Sequence, residues 1–310
     1  MIDSTNYAAK TPLTQRTLAK AVSTSGVGLH SGHMVALSLH PLPVDSGIVF
    51  ERSDLPHCPR VVAKAHLVKD TMMSSNLVDK EARVGTVEHL LSAVAGLGID
   101  NLLIKVSAPE IPIMDGSAMP FVDLILSAGL IEQAALKKFI KILEPVRVTS
   151  GDKWAELVPF DGFELNFEID FDHPAFDKQH QRTHLSFSTN NFISKLSQAR
   201  TFGFLKDIEQ LRQHNLALGG SMDNAIVLDE KGIINNEGLR YEDEFAKHKV
   251  LDAVGDLYLI GYPLIAQFNA FKSGHALNNA LIKEVMARTT SFEVVTFDDI
   301  VNCPISYEHI

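Results

Sequence analysis

Twice along the chain a run of short strands gives way to a helix, a strand and a second helix, and this doubled order limits what it can fold into. In the first half, apolar or alternating runs at residues 17–23, 35–40, 47–50 and 61–67 predict strands. Pro41, Pro43 and the Pro56-His57-Cys58-Pro59 turn separate them. Residues 86–95 have helical period, with Thr86 as the cap and Gly96 and Gly98 at the end. A strand at 101–106 and a helix at 120–128 follow. In the second half, strands are predicted at 139–143, 146–149, 155–159, 163–171 and 183–188. Then come a helix at 241–259, a strand at 264–271, a helix at 276–287 and a strand at 292–296. No residue-level repeat relates the halves; only the order of elements does. The expectation is α+β: an N-terminal extension over 1–14, then two similar domains, 15–137 and 138–310, meeting near Lys137.

A chain of 310 residues, 45% hydrophobic and 21% charged, can build a sizeable core. Its net charge of −10 argues against a nucleic-acid binder working through a broad basic surface, though not against an anionic small molecule held by a few cations. Two cysteines, Cys58 and Cys303, are too few for a disulfide framework and fit a reducing cytoplasm. The first ten residues lack the apolar core of a signal peptide. No run reaches the ~20 apolar residues of a membrane span; the nearest, 250–268, is broken by Asp252 and Asp256. A soluble, cytoplasmic protein without stable membrane insertion is expected.

The helix at 241–259 carries His248 and Asp252 four residues apart, with Asp256 four beyond. Such residues share one helix face, and a neutral imidazole with a carboxylate in that relation can hold a divalent ion. Alone, the pair is more often a solvated face. The first-half helix opens with Glu88 beside His89. His89 with His248 and Asp252 would make a His2Asp set that leaves a fourth position for water, and Glu88 would be the base beside it. The two ligand helices occupy equivalent places in the two halves, so the site would lie between them. His275 stands at a strand-to-helix turn, where a carboxylate such as Asp256 could keep it protonated as general acid or oxyanion stabiliser. Lys249, next to His248, could bind an anionic group. The other ten histidines, among them His30 in a glycine-rich loop, read as structural or solvent-facing. There is no GxSxG, phosphate loop or HExxH. The second half also carries an extra piece, about 199–225, crowded with apolar residues. These either pack on the parent sheet or line a groove for an apolar ligand.

Together these stretches resemble the UDP-3-O-acyl-N-acetylglucosamine deacetylase family, zinc enzymes of lipid A biosynthesis in Gram-negative bacteria. The resemblance rests on residues 86–93, Ile113-Met114-Asp115-Gly116-Ser117, 199–204, 238–257 and 273–279, with 26–32 and 171–174, in family order and spacing. It implies two α+β domains, each a β-sheet layered against two helices with a small insert, and an active site between them. It implies one Zn2+, or Fe2+, held by His89, His248 and Asp252, with Glu88 as base and His275, oriented by Asp256, as acid or oxyanion stabiliser. It further implies that Thr201 donates to the oxyanion and that Lys249 contacts the diphosphate or sugar end. Met73 and Ser74 would form a loop beside the metal. Phe202, Ile208, Leu211, Ala217, Gly220, Ser221, Met222 and Val227 would wall a passage for the acyl chain. Asp115 would be structural or support the site from behind. The substrate would be UDP-3-O-acyl-GlcNAc and the enzyme a monomer. The rival readings are a metallohydrolase for another amide or a phosphoester, and a non-catalytic binding protein of the same fold; the complete polar set disfavours the second.

Overall fold

The computed structural model describes residues 10–214 and 216–308; residues 1–9 of the expected extension, and His309, lie outside the described residues. Its helices are α1 (Glu88–Gly96), α2 (Met119–Ala128), α3 (Thr189–Lys195), α4 (Leu205–Gln213), α5 (Glu244–Tyr258) and α6 (His275–Ala287). No described helix is long and apolar enough to cross a membrane.

The first-half sheet has five strands, in the order Val22–Val27, Met34–Pro41, Leu102–Val106, Ile48–Arg52 and Arg60–Val62. Met34–Pro41 shows the pattern that builds it. Val35, Leu37 and Leu39 are buried while Met34 and Ala36 are exposed, the period of two of a sheet with one covered face. The second-half sheet has seven strands around Leu264–Phe271. That strand pairs antiparallel with Lys153–Val158, and parallel with Phe163–Glu168 and, at its start, with Lys138–Ile142. α5 packs on Phe163–Glu168, and α6 on Val146–Ser150. The architecture is α+β, as expected.

The helices of the two halves meet face to face. Every residue of α1 is buried, and in α5 all but Lys247 and Lys249 are. A helix apolar or enclosed all round must lie between layers, and α1 packs directly on α5. Gly255 permits the approach: a Cβ there would fall 2.0 Å from the Glu88 carbonyl oxygen. The junction has a second pin. Lys137 is fully buried and donates to the Gly98 carbonyl (2.8 Å) and to the Asp100 carboxylate, with its ammonium 5.1 Å from the Tyr307 ring.

Several expectations need correction. Residues 17–23 are not one strand: Thr14–Leu18 pairs with Leu130–Leu136, and Val22–Val27 belongs to the five-stranded sheet. Thr86 does not cap α1. It has φ +54° and its buried hydroxyl has no hydrogen-bond partner, so the helix starts at Glu88. Residues 61–67 are a three-residue strand followed by a 3-10 turn, Ala65–Leu67. Leu13, read as part of the loose extension, is buried, and its carbonyl accepts from Lys137 N. α3 was not foreseen; Ser188 caps it by accepting from Asn191 N.

Candidate active site

α5 places His248 and Asp252 one above the other, and α1 brings His89 to them. His248 Nε2 and His89 Nε2 each lie 3.3 Å from Asp252 Oδ1. The two rings stand edge to face, 5.0 Å apart. Ligand atoms of all three residues lie within 4.8 Å of one another, and all three residues are buried. The alternative of a solvated face is therefore excluded.

The donor set has the character of a metal site. His248 Nδ1 donates to the Ala199 carbonyl at 3.0 Å. Burial, first among the causes, pushes this histidine down to about 3, so it is neutral and its Nε2 lone pair faces Asp252. The carboxyl of Asp252, which burial alone would raise, is held well below its usual range, with the Lys249 ammonium 3.0 Å away among the groups that lower it. A lone pair aimed at an anionic oxygen at 3.3 Å is repulsive unless a cation lies between them. Asp252 Oδ1 makes no hydrogen bond, as a ligand oxygen awaiting an ion would not. A tetrahedral zinc site with bonds of about 2.0–2.1 Å has ligand-to-ligand edges of about 3.3–3.4 Å. The residues thus fit a divalent ion.

Beside this set, Glu88 Oε2 accepts from Ser75 N at 3.0 Å, and its Oε1 is 3.8 Å from His275 Nε2. His275 Nδ1 is 2.8 Å from Asp256 Oδ2. The same oxygen accepts from Asn278 Nδ2 at 2.9 Å, and Asp256 Oδ1 accepts from Ser75 Oγ at 2.6 Å. Burial raises the Glu88 carboxyl, and the His275 charge only partly opposes it. Burial by itself would lower His275, but Asp256 and Glu88 outweigh it and push the imidazole up to about 10. The site therefore pairs a carboxylate of raised pKa with a cationic imidazole, an arrangement that general acid–base chemistry can use.

The remaining expected residues scatter around this centre. Thr201 lies two residues beyond Ala199; its N–H donates to the Gly116 carbonyl and its carbonyl accepts from Ile226 N, both at 2.8 Å. Arg200 anchors this segment through the buried Glu244 carboxylate (2.9 Å) at the start of α5. Phe202 packs edge-on against Phe245, and its ring is 6.4 Å from that of His248. Lys249 Nζ donates to Asp252 Oδ2 at 3.0 Å, so it turns toward the candidate ligand set. Ser74 is buried and Met73 exposed in the loop leading to Ser75. Asp115 braces its own turn, accepting from Ser117 N and Oγ, and pairs with Arg240 at 2.9 Å. In the extra piece Ile208, Leu211, Ala217 and Gly220 are half-buried, Ser221 and Met222 exposed, and Val227 buried in the strand Ile226–Leu228. Part of it reaches the other half: Gly219 N donates to the Leu29 carbonyl (3.0 Å) and Leu218 N to that of His30 (3.2 Å).

Sequence reading missed Ser75 and Asn278, which carry no spacing signal. It also missed a cavity of about 830 Å³ that has His275 on its wall and Arg147, Lys153, Lys272 and Arg288 around it. Lys272 stood next to the Ser273–Asn279 stretch, the one hint available.

The family model for UDP-3-O-acyl N-acetylglycosamine deacetylase (LpxC) matches residues 15–287. A UDP-3-O-acyl-N-acetylglucosamine deacetylase of Psychrobacter cryohalolentis is 66% identical over 298 residues, 96% of this chain and 93% of its own length. One from Psychrobacter sp. is 58% identical over 294 residues, 95% of this chain and 99% of that protein. One from Pseudomonas entomophila is 58% identical over 293 residues, 94% and 97% of the two chains.

Proposed function

The chain belongs to the UDP-3-O-acyl N-acetylglycosamine deacetylase family, and on that premise we propose a metal-assisted amide hydrolysis centred on His89, His248 and Asp252. It is a deacetylase of lipid A biosynthesis, an enzyme that hydrolyses an amide bond of UDP-3-O-acyl-N-acetylglucosamine. One Zn2+ per chain suits two imidazoles and a carboxylate; Fe2+ is the alternative for the same donors. When bound, the ion supplies Lewis acidity, lowering the pKa of water and polarising the acetamide carbonyl.

The chain's own residues carry the proton transfers. Glu88 takes the proton of the attacking water. Cationic His275, held by Asp256, faces the developing oxyanion and delivers a proton to the leaving nitrogen; Thr201 donates to the same oxyanion. One water is consumed, and acetate and the free amine are released. The observation that carries this reading is Glu88 and His275, 3.8 Å apart, beside a buried His2Asp set. The substrate's diphosphate suits the cavity lined by Arg147, Lys153, Lys272 and Arg288, which shares His275 with the centre. Lys249 would contact the sugar end. Phe202, with the wall residues of the extra piece, would guide the acyl chain. The enzyme would act as a monomer built of two domains meeting near Lys137.

Acetate release from UDP-3-O-acyl-GlcNAc tests the reading. It should vanish with a strong chelator and return with added Zn2+. Turnover that persists in metal-free enzyme would reject the centre. Equal rates with and without the O-acyl chain would reject the acyl passage.

A further inference from the structure

Among the described residues, Ser75 is the one whose hydrogen bonds reach both Glu88 and Asp256. Its N–H donates to Glu88 Oε2 (3.0 Å) and its hydroxyl to Asp256 Oδ1 (2.6 Å). Glu88 stands on α1 in the first half; Asp256 stands on α5 in the second and holds His275 through its other oxygen. Ser75 is itself fixed. It is 1% exposed, its carbonyl accepts from Val87 N at 3.4 Å just before α1, and the neighbouring Asn76 amide donates to the Ser74 carbonyl at 3.0 Å. Asp256 then has three donors on two oxygens, from Ser75, His275 and Asn278. A carboxylate filled in this way has little freedom to rotate, and so neither does the imidazole it orients.

We propose that Ser75 is a positioning residue for the deacetylation, whose hydroxyl fixes Asp256 and thereby sets His275 at its working distance from Glu88. The inference rests on the acid–base roles given to Glu88 and His275 above. A 1 Å error in such a pair is costly because proton transfer needs hydrogen-bond geometry in the transition state. The side chain and the main chain of Ser75 act on different partners. Ser75→Ala keeps the N–H to Glu88 and removes only the hydroxyl to Asp256. Its effect must therefore travel through Asp256 to His275.

The test compares zinc-loaded wild type, Ser75→Ala, His275→Ala and the double variant in acetate release from UDP-3-O-acyl-GlcNAc. Ser75→Ala is expected to lower kcat about 10-fold or more, with KM, bound zinc and melting temperature near wild type. In the His275→Ala background the same change is expected to cost less than about twofold, because residues acting as a unit are not additive. Ser75→Cys, close in size and a weak donor, replaces the alanine variant if that one does not fold. A kcat within twofold of wild type overturns the proposal. So does a full multiplicative loss on top of His275→Ala, or a loss that appears in KM or zinc content instead. Wild type run alongside separates this from the parent reading: if it shows no zinc-restorable release, the proposed function falls first and this inference with it.

Discussion

At the scale of single residues, the site is governed by charges that burial would suppress and neighbours restore. His275 is pushed up to about 10 although burial works against it, because Asp256 and Glu88 face it. Glu88 is raised above its ordinary 4.5 by burial. The proposed roles need Glu88 deprotonated and His275 protonated, so kcat/KM should fall on the acid side as Glu88 gains its proton, at a pH above the usual carboxylate value. It should fall on the alkaline side near pH 10, where His275 loses its proton. Asp256→Asn removes the foremost of the groups raising His275, so the alkaline limb should move to lower pH. An unmoved limb in a pH–rate profile would show that Asp256 does not hold that proton. Glu88→Gln should cut kcat by about 10²–10⁴-fold with zinc content unchanged by metal analysis. The spacing of His248, Asp252 and Asp256 was legible because a helix repeats locally. Ser75 and Asn278 were not, because a loop serine and a helix asparagine announce nothing until their partner is beside them.

At the scale of elements, the centre exists because α1 and α5 touch. Gly255 has no side chain, and a methyl there would meet the Glu88 carbonyl oxygen at 2.0 Å. Gly255→Ala should force the helices apart, costing about 1–3 kcal/mol of stability. The His89-bearing helix would move from the His248-bearing one, so zinc affinity should fall as well. Thermal melting and zinc retention on dialysis check both; an unchanged melt would mean the helices are not held by this contact. The extra piece is marginal as an element. α4 is nine residues long, and Leu205, Leu218 and Met222 stay exposed. Phe202 stands beside the candidate ligands, its ring 6.4 Å from that of His248. Losing a half-buried phenyl contact is worth about 1.4 kcal/mol or more, so Phe202→Ala should raise KM for the acylated substrate about tenfold. KM for the substrate without its acyl chain should not change. A proportionate rise for both would place Phe202 outside the acyl path.

At the scale of the whole molecule, the two halves are joined by burial, and a buried ion pair of the first half, beside Tyr307 of the second, sits where they meet. Lys137, fully buried, meets Asp100. Removing one partner strands the other charge, so Lys137→Ala should cost about 3–5 kcal/mol, and Lys137→Met with Asp100→Leu much less. Urea midpoints of the three proteins decide it; equal losses in the single and double variants would show that charge is not what matters there. The sequence alone determined the α+β class, the helices α1, α2, α5 and α6 with the strands beside them, and the residues that share a face of α5. Those follow from dihedral preferences and side-chain periods that act over a few residues. The Glu88-His89 pair at the start of the first-half helix extended this to His89, one of thirteen histidines, and the motif resemblance pointed to the same residue. Only the tertiary structure decided that Lys249 turns to Asp252, that Thr86 caps nothing, and that Lys137 is an internal pin. It alone joined Ser75 to Asp256 across 181 residues of chain. Separations of that kind are set by how two buried helices pack, and no local period encodes them.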